Sequence, residues 1–499
     1  MVRTTEVISC KAGRFVGRIL DSGVRVFRGI PYAEPPVGDR RWKPPVEKAY
    51  IDQVYEAFDS GDAPVQMAYE PDRHINGFQL KSCSEDCLHL NIWTADTSSP
   101  AKPVVIWIYG GNYLEGYAGA PVYDGEKLIR EHPEIVLVTV DYRLGVLASL
   151  NLSSLDPEGE YRYSNNLDIL DQRMAMKWVR ENIAAFGGDP DNVTLWGYSA
   201  GSNAISHHIT SAGSRPYFHK AICESSFYSA FGTTSLATSK IRGDAFISLA
   251  GASSIKDLLD LSPADILALQ EKLIVHPFPG IYTKMLAPVS DGLVLPLDPY
   301  AEIRGGAARD KKVLIGTVAG EYDQMFKDLP SDDEVFDAVL NAIRPEIRPD
   351  REWAEEFVSG VPGRTRRIGA MDLYNDMFLR VPGITFAEDF SRTGECYMFY
   401  SQWWEDEQGR RTPHGAHHQF VFGNRLWAEP PEDLRKRIQD TWVRFIVKGD
   451  PNGAGIPEWP RYDAERRATM IIDKEWRVED DPRSADRVKM TPIVRKYNG

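Results

Sequence analysis

Cysteine is scarce in this chain, with five among 499 residues: Cys10, Cys83, Cys87, Cys223 and Cys396. So few and so odd a number excludes a disulfide-stapled scaffold. Only Cys83 and Cys87 lie close together, and no second Cys or His pair follows at zinc-ligand spacing, so no metal is expected. Long apolar runs are missing as well. None approaches the roughly 20 residues that cross a bilayer, and Met1 to Val7 opens no secretory signal. With Met1 as the native start the protein reads as cytoplasmic; with a leader ahead of it, it would be secreted. Positive charge is in deficit, 58 Lys+Arg against 72 Asp+Glu for a formal net charge of -14. That balance argues against nucleic acid or a membrane surface as partner. Repeats, low-complexity tracts and Gly/Ser linkers are absent too, so residues 1–499 read as one domain.

Against these absences, β-rich runs alternate with helical patterns. Val104–Ile108, Ile135–Val140 and Val193–Trp196 read as buried strands. Between the last two, Met174, Met176, Trp178, Val179, Ile183 and Phe186 recur with helical spacing. Strand, helix, strand order implies an α/β fold with a mainly parallel central sheet flanked by helices. Two stretches, about 226–310 and 326–393, are richer in helical signals and are expected to roof the sheet. One such signal is Ser262-Pro263-Ala264-Asp265, where Ser caps, Pro opens and Asp meets the helix dipole.

Gly197-Tyr198-Ser199-Ala200-Gly201 follows an expected strand and precedes a helical stretch, the setting of a nucleophile elbow. The sharp turn strains Ser199, and side chains at 197 or 201 would strike neighbouring backbone. A hydroxyl needs a base to take its proton and an acid to orient that base. It also needs N–H donors for the developing oxyanion, which Tyr109-Gly110-Gly111-Asn112-Tyr113 offers after a strand. Gly111, Asn112 and Ala200 are the expected donors.

Further segments resemble the type-B carboxylesterases, the family that also holds cholinesterases, fungal lipases and neuroligins. They are Phe27-Arg28-Gly29-Ile30-Pro31-Tyr32-Ala33, Glu85-Asp86-Cys87-Leu88, Asp171-Gln172-Arg173, Phe186-Gly187-Gly188-Asp189-Pro190 and Gly449-Asp450-Pro451-Asn452-Gly453. The resemblance spans nearly the whole chain and implies an α/β-hydrolase fold. It implies Glu321 as acid, in Gly320-Glu321-Tyr322, and His414 as base, in His414-Gly415 ahead of Phe420-Val421-Phe422-Gly423. The chain order Ser199, Glu321, His414 is that of α/β-hydrolases. Asp323 is the fallback acid, while His207, His208, His417 and His418 are read as packing. No cofactor is required.

Departures from the family narrow the substrate. Tyr198 stands where cholinesterases carry Glu, and their tryptophan ahead of Glu85-Asp86-Cys87 has no counterpart near Gly77, which argues against a quaternary-ammonium site. Tyr198, Tyr109, Phe78 and Lys284 are the expected pocket residues; Lys284 would either meet an anionic acyl group or snorkel to solvent. Asn112 replaces a glycine of the usual oxyanion loop, at a conformational cost. The missing cysteine partner for Cys87 near Ala63–Gln66 favours a reducing compartment, and Arg41 with Glu85 reads as a scaffold ion pair.

The expected function is hydrolysis of a small or medium carboxylic ester, with a specialised metabolite or xenobiotic as substrate. A lactonase, thioesterase or acyl-transferring relative would use the same Ser199. A neuroligin-like interaction protein is disfavoured, because all three triad positions hold competent residues. Oligomeric state is not legible.

Overall fold

The computed structural model describes residues 3–67, 80, 82–98, 101–227, 233–275, 286–343, 347–404, 411–424 and 431–498. Its centre is a twelve-stranded mixed sheet. Seven neighbouring strands run parallel: Val136–Val140, Lys102–Ile108, Gly188–Tyr198, Lys220–Glu224, Lys312–Val318, Glu395–Ser401 and Ala468–Ile472. Antiparallel strands extend both edges, from Arg3–Thr4 on one side to Arg477–Asp480 on the other. The parallel centre is apolar on both faces because helices cover both, so its sequences are unbroken rather than alternating. Val104 to Ile108 are all fully buried. The helix expected from the spacing of Met174 to Phe186 runs over Leu167–Asn182 and tightens into a 3-10 turn at Ile183–Phe186.

Two helical segments lie outside the sheet, each with an apolar cluster of its own. Helices Leu236–Ala250, Ile255–Leu259 and Pro263–Val275 gather Phe246, Leu258, Ile266 and Leu273 against Val146 and Leu150. Ser262 caps the last of these, accepting from the Asp265 N–H at 3.2 Å. Helices Asp332–Ala342, Arg351–Ser359 and Arg366–Asn375 pack Phe336, Val339, Phe357 and Leu373 against Met490 and Val494 of the C-terminal helix Ser484–Asn498. Among the described residues no helix is long and apolar enough to cross a membrane.

The consequence for function lies at the carboxyl ends of the parallel strands, where α/β sheets carry their chemistry. Four of the turns that carry the expected site residues leave that edge. Tyr109–Tyr113 follows Lys102–Ile108, Ser199 follows Gly188–Tyr198, Glu321 follows Lys312–Val318, and the segment ending at His414 follows Glu395–Ser401. Residues more than 300 apart in sequence thus lie along one edge.

Candidate active site

The serine turn is built by steric exclusion. Ser199 caps the helix Ala200–Thr210 with φ 53° and ψ -129°, a region that costs a non-glycine residue about 1–3 kcal/mol. What holds it there is close packing on both sides. A Cβ on Gly201 would lie 2.0 Å from the Ile108 carbonyl oxygen, and one on Gly197 2.6 Å from the same atom. The Ser199 N–H is tied to the Glu224 carbonyl at 2.9 Å. Strand, turn and helix therefore meet at contact distance and confine the serine turn.

Beside it, the Gly110–Tyr113 loop folds on itself. The Gly111 carbonyl accepts from Leu114 (2.9 Å) and Glu115 (3.1 Å). A Cβ on Gly110 would come within 2.8 Å of the Ser199 Cβ, so loop and serine turn touch. Gly111, Asn112 and Tyr113 all have positive φ, 119°, 57° and 61°. Asn112 thus occupies the left-handed conformation anticipated from its replacement of glycine, one that Asn tolerates better than most residues. Ala200 opens its helix, where an N–H has no intrahelical acceptor.

Glu321 and His414 meet directly, Oε2 to Nδ1 at 2.6 Å. The second carboxylate oxygen of Glu321 accepts the Val318 N–H at 2.9 Å, fixing the acid's rotamer. Both groups are buried. A hydrogen bond at Nδ1 leaves Nε2 to face a reactant, the tautomer a general base needs. Tyr322 stacks on the His414 ring at 5.5 Å, and the tilted ring of Tyr198 lies 5.9 Å from it.

Other expectations fare differently. Tyr109 and Tyr198, expected in the pocket, are both buried among the described residues. Tyr109, the first residue past the strand Lys102–Ile108, is wholly enclosed and stacks on Tyr142 at 4.6 Å. Tyr198 is 3% exposed, its ring stacked 4.3 Å from His418 and 5.9 Å from Trp107; it is packing between the serine and histidine turns. Phe78 and Lys284 lie outside the described residues. Asp323 is not an alternative acid, since both its oxygens are held by Arg411 at 2.8 Å.

His417 and His418 are packing residues. Burial pushes both imidazoles down to about 3, so they stay neutral at physiological pH. His208 bridges Ser214 (2.9 Å) and Gln172 (2.8 Å) within the core. Arg41 forks onto Glu85 at 2.7 and 2.6 Å, a scaffold pair as expected.

Sequence reasoning missed Glu224. It ends its strand wholly buried, with Oε1 accepting from the indoles of Trp442 (2.6 Å) and Trp196 (3.1 Å). Desolvation pushes its carboxyl up to about 8. A lone charge after the apolar run Ala221-Ile222-Cys223 was the available signal.

A parallel sheet that brings a strained serine turn, a His–Glu pair and a glycine-bearing loop to its carboxyl edge is that of an α/β-hydrolase. The Carboxylesterase family model matches residues 4–489, and the chain belongs to that family. It is a serine carboxylic-ester hydrolase. It is 32% identical to the para-nitrobenzyl esterase of Bacillus subtilis (strain 168) over 505 residues, covering 98% of this chain and 99% of the relative. The acetylcholinesterase of Bungarus fasciatus is 29% identical over 491 residues, covering 90% and 79%. Among solved structures, a para-nitrobenzyl esterase superposes with a TM-score of 0.84 at 32% identity, covering 97% of this chain and 99% of that one. A carboxylesterase of Geobacillus stearothermophilus gives 0.85 at 30%, covering 97% and 100%.

Proposed function

We propose that Ser199 is the nucleophile of this esterase, His414 its general base and Glu321 the acid that orients the base. The observation that carries this reading is the 2.6 Å contact between His414 Nδ1 and Glu321 Oε2, at the sheet edge that also bears the strained Ser199. His414 Nε2 takes the hydroxyl proton as Oγ attacks the ester carbonyl, and Glu321 stabilises the imidazolium that results. The proton then goes to the departing alcohol, leaving an acyl-serine. Water, deprotonated by the same histidine, attacks the acyl-serine; the acid is released as His414 returns that proton to Ser199 Oγ. In both halves the N–H groups of Gly111, Asn112 and Ala200 hold the oxyanion, a term worth about 3 kcal/mol per donor.

The substrate class that fits is a small or medium neutral carboxylic ester. The relatedness to a para-nitrobenzyl esterase supports an acyl or alcohol moiety of aromatic size. Tyr198, in place of an acid beside the nucleophile, supports a site without provision for a cationic alcohol.

Hydrolysis of p-nitrophenyl acetate, butyrate and octanoate is the test, compared with Ser199→Ala and with labelling by a fluorophosphonate. The variant is expected to lose at least about 10⁴-fold in kcat/KM and all labelling. Retention of both would sink the assignment of Ser199.

A further inference from the structure

Glu321 and His414 sit on separate turns, and little backbone joins them. A single parallel bridge pairs Gly320 with Pro413, with the Gly320 N–H on the Thr412 carbonyl at 2.8 Å. A triad hydrogen bond tolerates displacements of only a few tenths of an ångström, so something further must hold the two turns in register.

Arg411, three residues before His414, reaches Asp323, two residues after Glu321. Nε and Nη2 meet the two carboxylate oxygens at 2.8 Å each, a bidentate fork. Its third nitrogen, Nη1, contacts Asp372 Oδ1 at 2.5 Å. The clamp closes over Gly320, where an added Cβ would stand 3.0 Å from both the Arg411 Cβ and Asp323 Oδ2. Asn375 completes it, donating to Asp323 Oδ1 at 3.0 Å while its own carbonyl oxygen accepts the Tyr322 N–H at 2.9 Å. Tyr322 is the residue stacked on the His414 ring. Asp372 and Asn375 belong to the helix Arg366–Asn375, and Asp372 is held from its far side by Arg483, ahead of the C-terminal helix, at 3.0 Å.

We infer that Arg411 and Asp323 are a positioning pair for the acid–base dyad. The inference rests on the reading of Glu321 and His414 as acid and base. The fork sets the spacing of the two turns, and the second helical segment braces it. Neither residue touches substrate; both act through the geometry of the Glu321–His414 bond. Only an arginine supplies a fork plus a third donor, so lysine would keep the charge and lose the register.

The test uses Arg411→Lys and the isosteric Asp323→Asn in the full-length enzyme, with His414→Gln as control. Functional sites are counted by fluorophosphonate titration run to completion, and kcat and KM for p-nitrophenyl butyrate are measured per folded chain across pH. Both variants should lose about ten- to a hundredfold in kcat, with KM within about twofold. The acid limb of the pH profile should move to lower pH, because a carboxylate held less closely favours the imidazolium less. A purely structural role reduces the number of sites alone. Unchanged kcat per site and an unmoved acid limb in the folded fraction of either variant would overturn the inference. Should His414→Gln keep the wild-type kcat, the base assignment itself falls, a different failure that this control reveals.

Discussion

The turn carrying Ser199 and the paired turns carrying Glu321 and His414 are made by opposite means. The first is uncharged and steric: Gly197 and Gly201 against the Ile108 carbonyl, backbone on backbone. The second is ionic and long-range, with Arg411 forked onto Asp323 and linked to Asp372. The position of the Ser199 turn depends on the absence of side chains within five residues of sequence. Dyad position depends on charges drawn from segments up to 88 residues apart. A steric device fails abruptly when one methyl is added; an ionic one weakens by degrees as geometry or protonation changes.

The sharpest break is expected at the glycines. Gly201→Ala would put a methyl 2.0 Å from a backbone oxygen, and since neither backbone can retreat without opening the sheet edge, the expectation is loss of soluble, active enzyme. Expression and fluorophosphonate labelling check it. A soluble Gly201→Ala enzyme with near-normal labelling would show that the serine turn yields more than the contact allows. By contrast Arg411→Lys, in the ionic region, should remain folded and labelled.

This difference in construction also explains what could be read from the sequence. A device made of local exclusion leaves a local signature, so Gly197-Tyr198-Ser199-Ala200-Gly201 was legible, as was the run of parallel strands that are apolar on both faces. Glu321 and His414 are expected as acid and base only through resemblance to a family, since Gly320-Glu321-Tyr322 has no pattern that distinguishes a catalytic acid from a solvated one. Asp323 reads as a fallback acid because sequence does not reveal that Arg411 occupies it. Tyr109 and Tyr198 flank the chemistry in sequence, but sequence does not reveal that one stacks on Tyr142 and the other on His418. The antiparallel edges of the sheet were also not foreseen, their strands being short and weakly patterned.

A smaller effect separates the regions by pH. His417 and His418 follow His414 on the dyad side, and burial holds both neutral, with values lowered to about 3. The unfolded chain has ordinary histidines near 6.5. Between those values the unfolded state binds more protons, so stability is complete above about pH 6.5 and declines as pH falls toward 3. Each histidine contributes about 1.4 kcal/mol per pH unit in that window. His417→Leu, packed among Phe399 and Trp442, should lessen the slope of unfolding free energy between pH 6.5 and 5 and leave activity at pH 7.5 intact. Denaturant titrations at several pH values decide it, and an unchanged slope would place the acid sensitivity elsewhere.

The smallest expected change tests whether the two regions are independent, because Glu224 belongs to both. Its carbonyl holds the Ser199 N–H, while its carboxyl lies between Trp196 of the nucleophile strand and Trp442 of the helix beneath His417. Desolvation raises that carboxyl to about 8, and the nearby Glu321 charge adds to the shift. The sign is opposite to that of the histidines: the folded state binds the extra proton, so stability is greatest below the ordinary carboxylate value and is lost as pH rises toward 8. Glu224→Gln preserves the acceptor for both indoles and cannot ionise. It should match the parent enzyme near pH 4.5, exceed it in unfolding free energy at pH 8, and retain kcat at pH 7. Equal pH dependence in the two proteins would mean that Glu224 is ionised in the fold, bearing a charge beside Glu321 that the steric and ionic regions would then have to share.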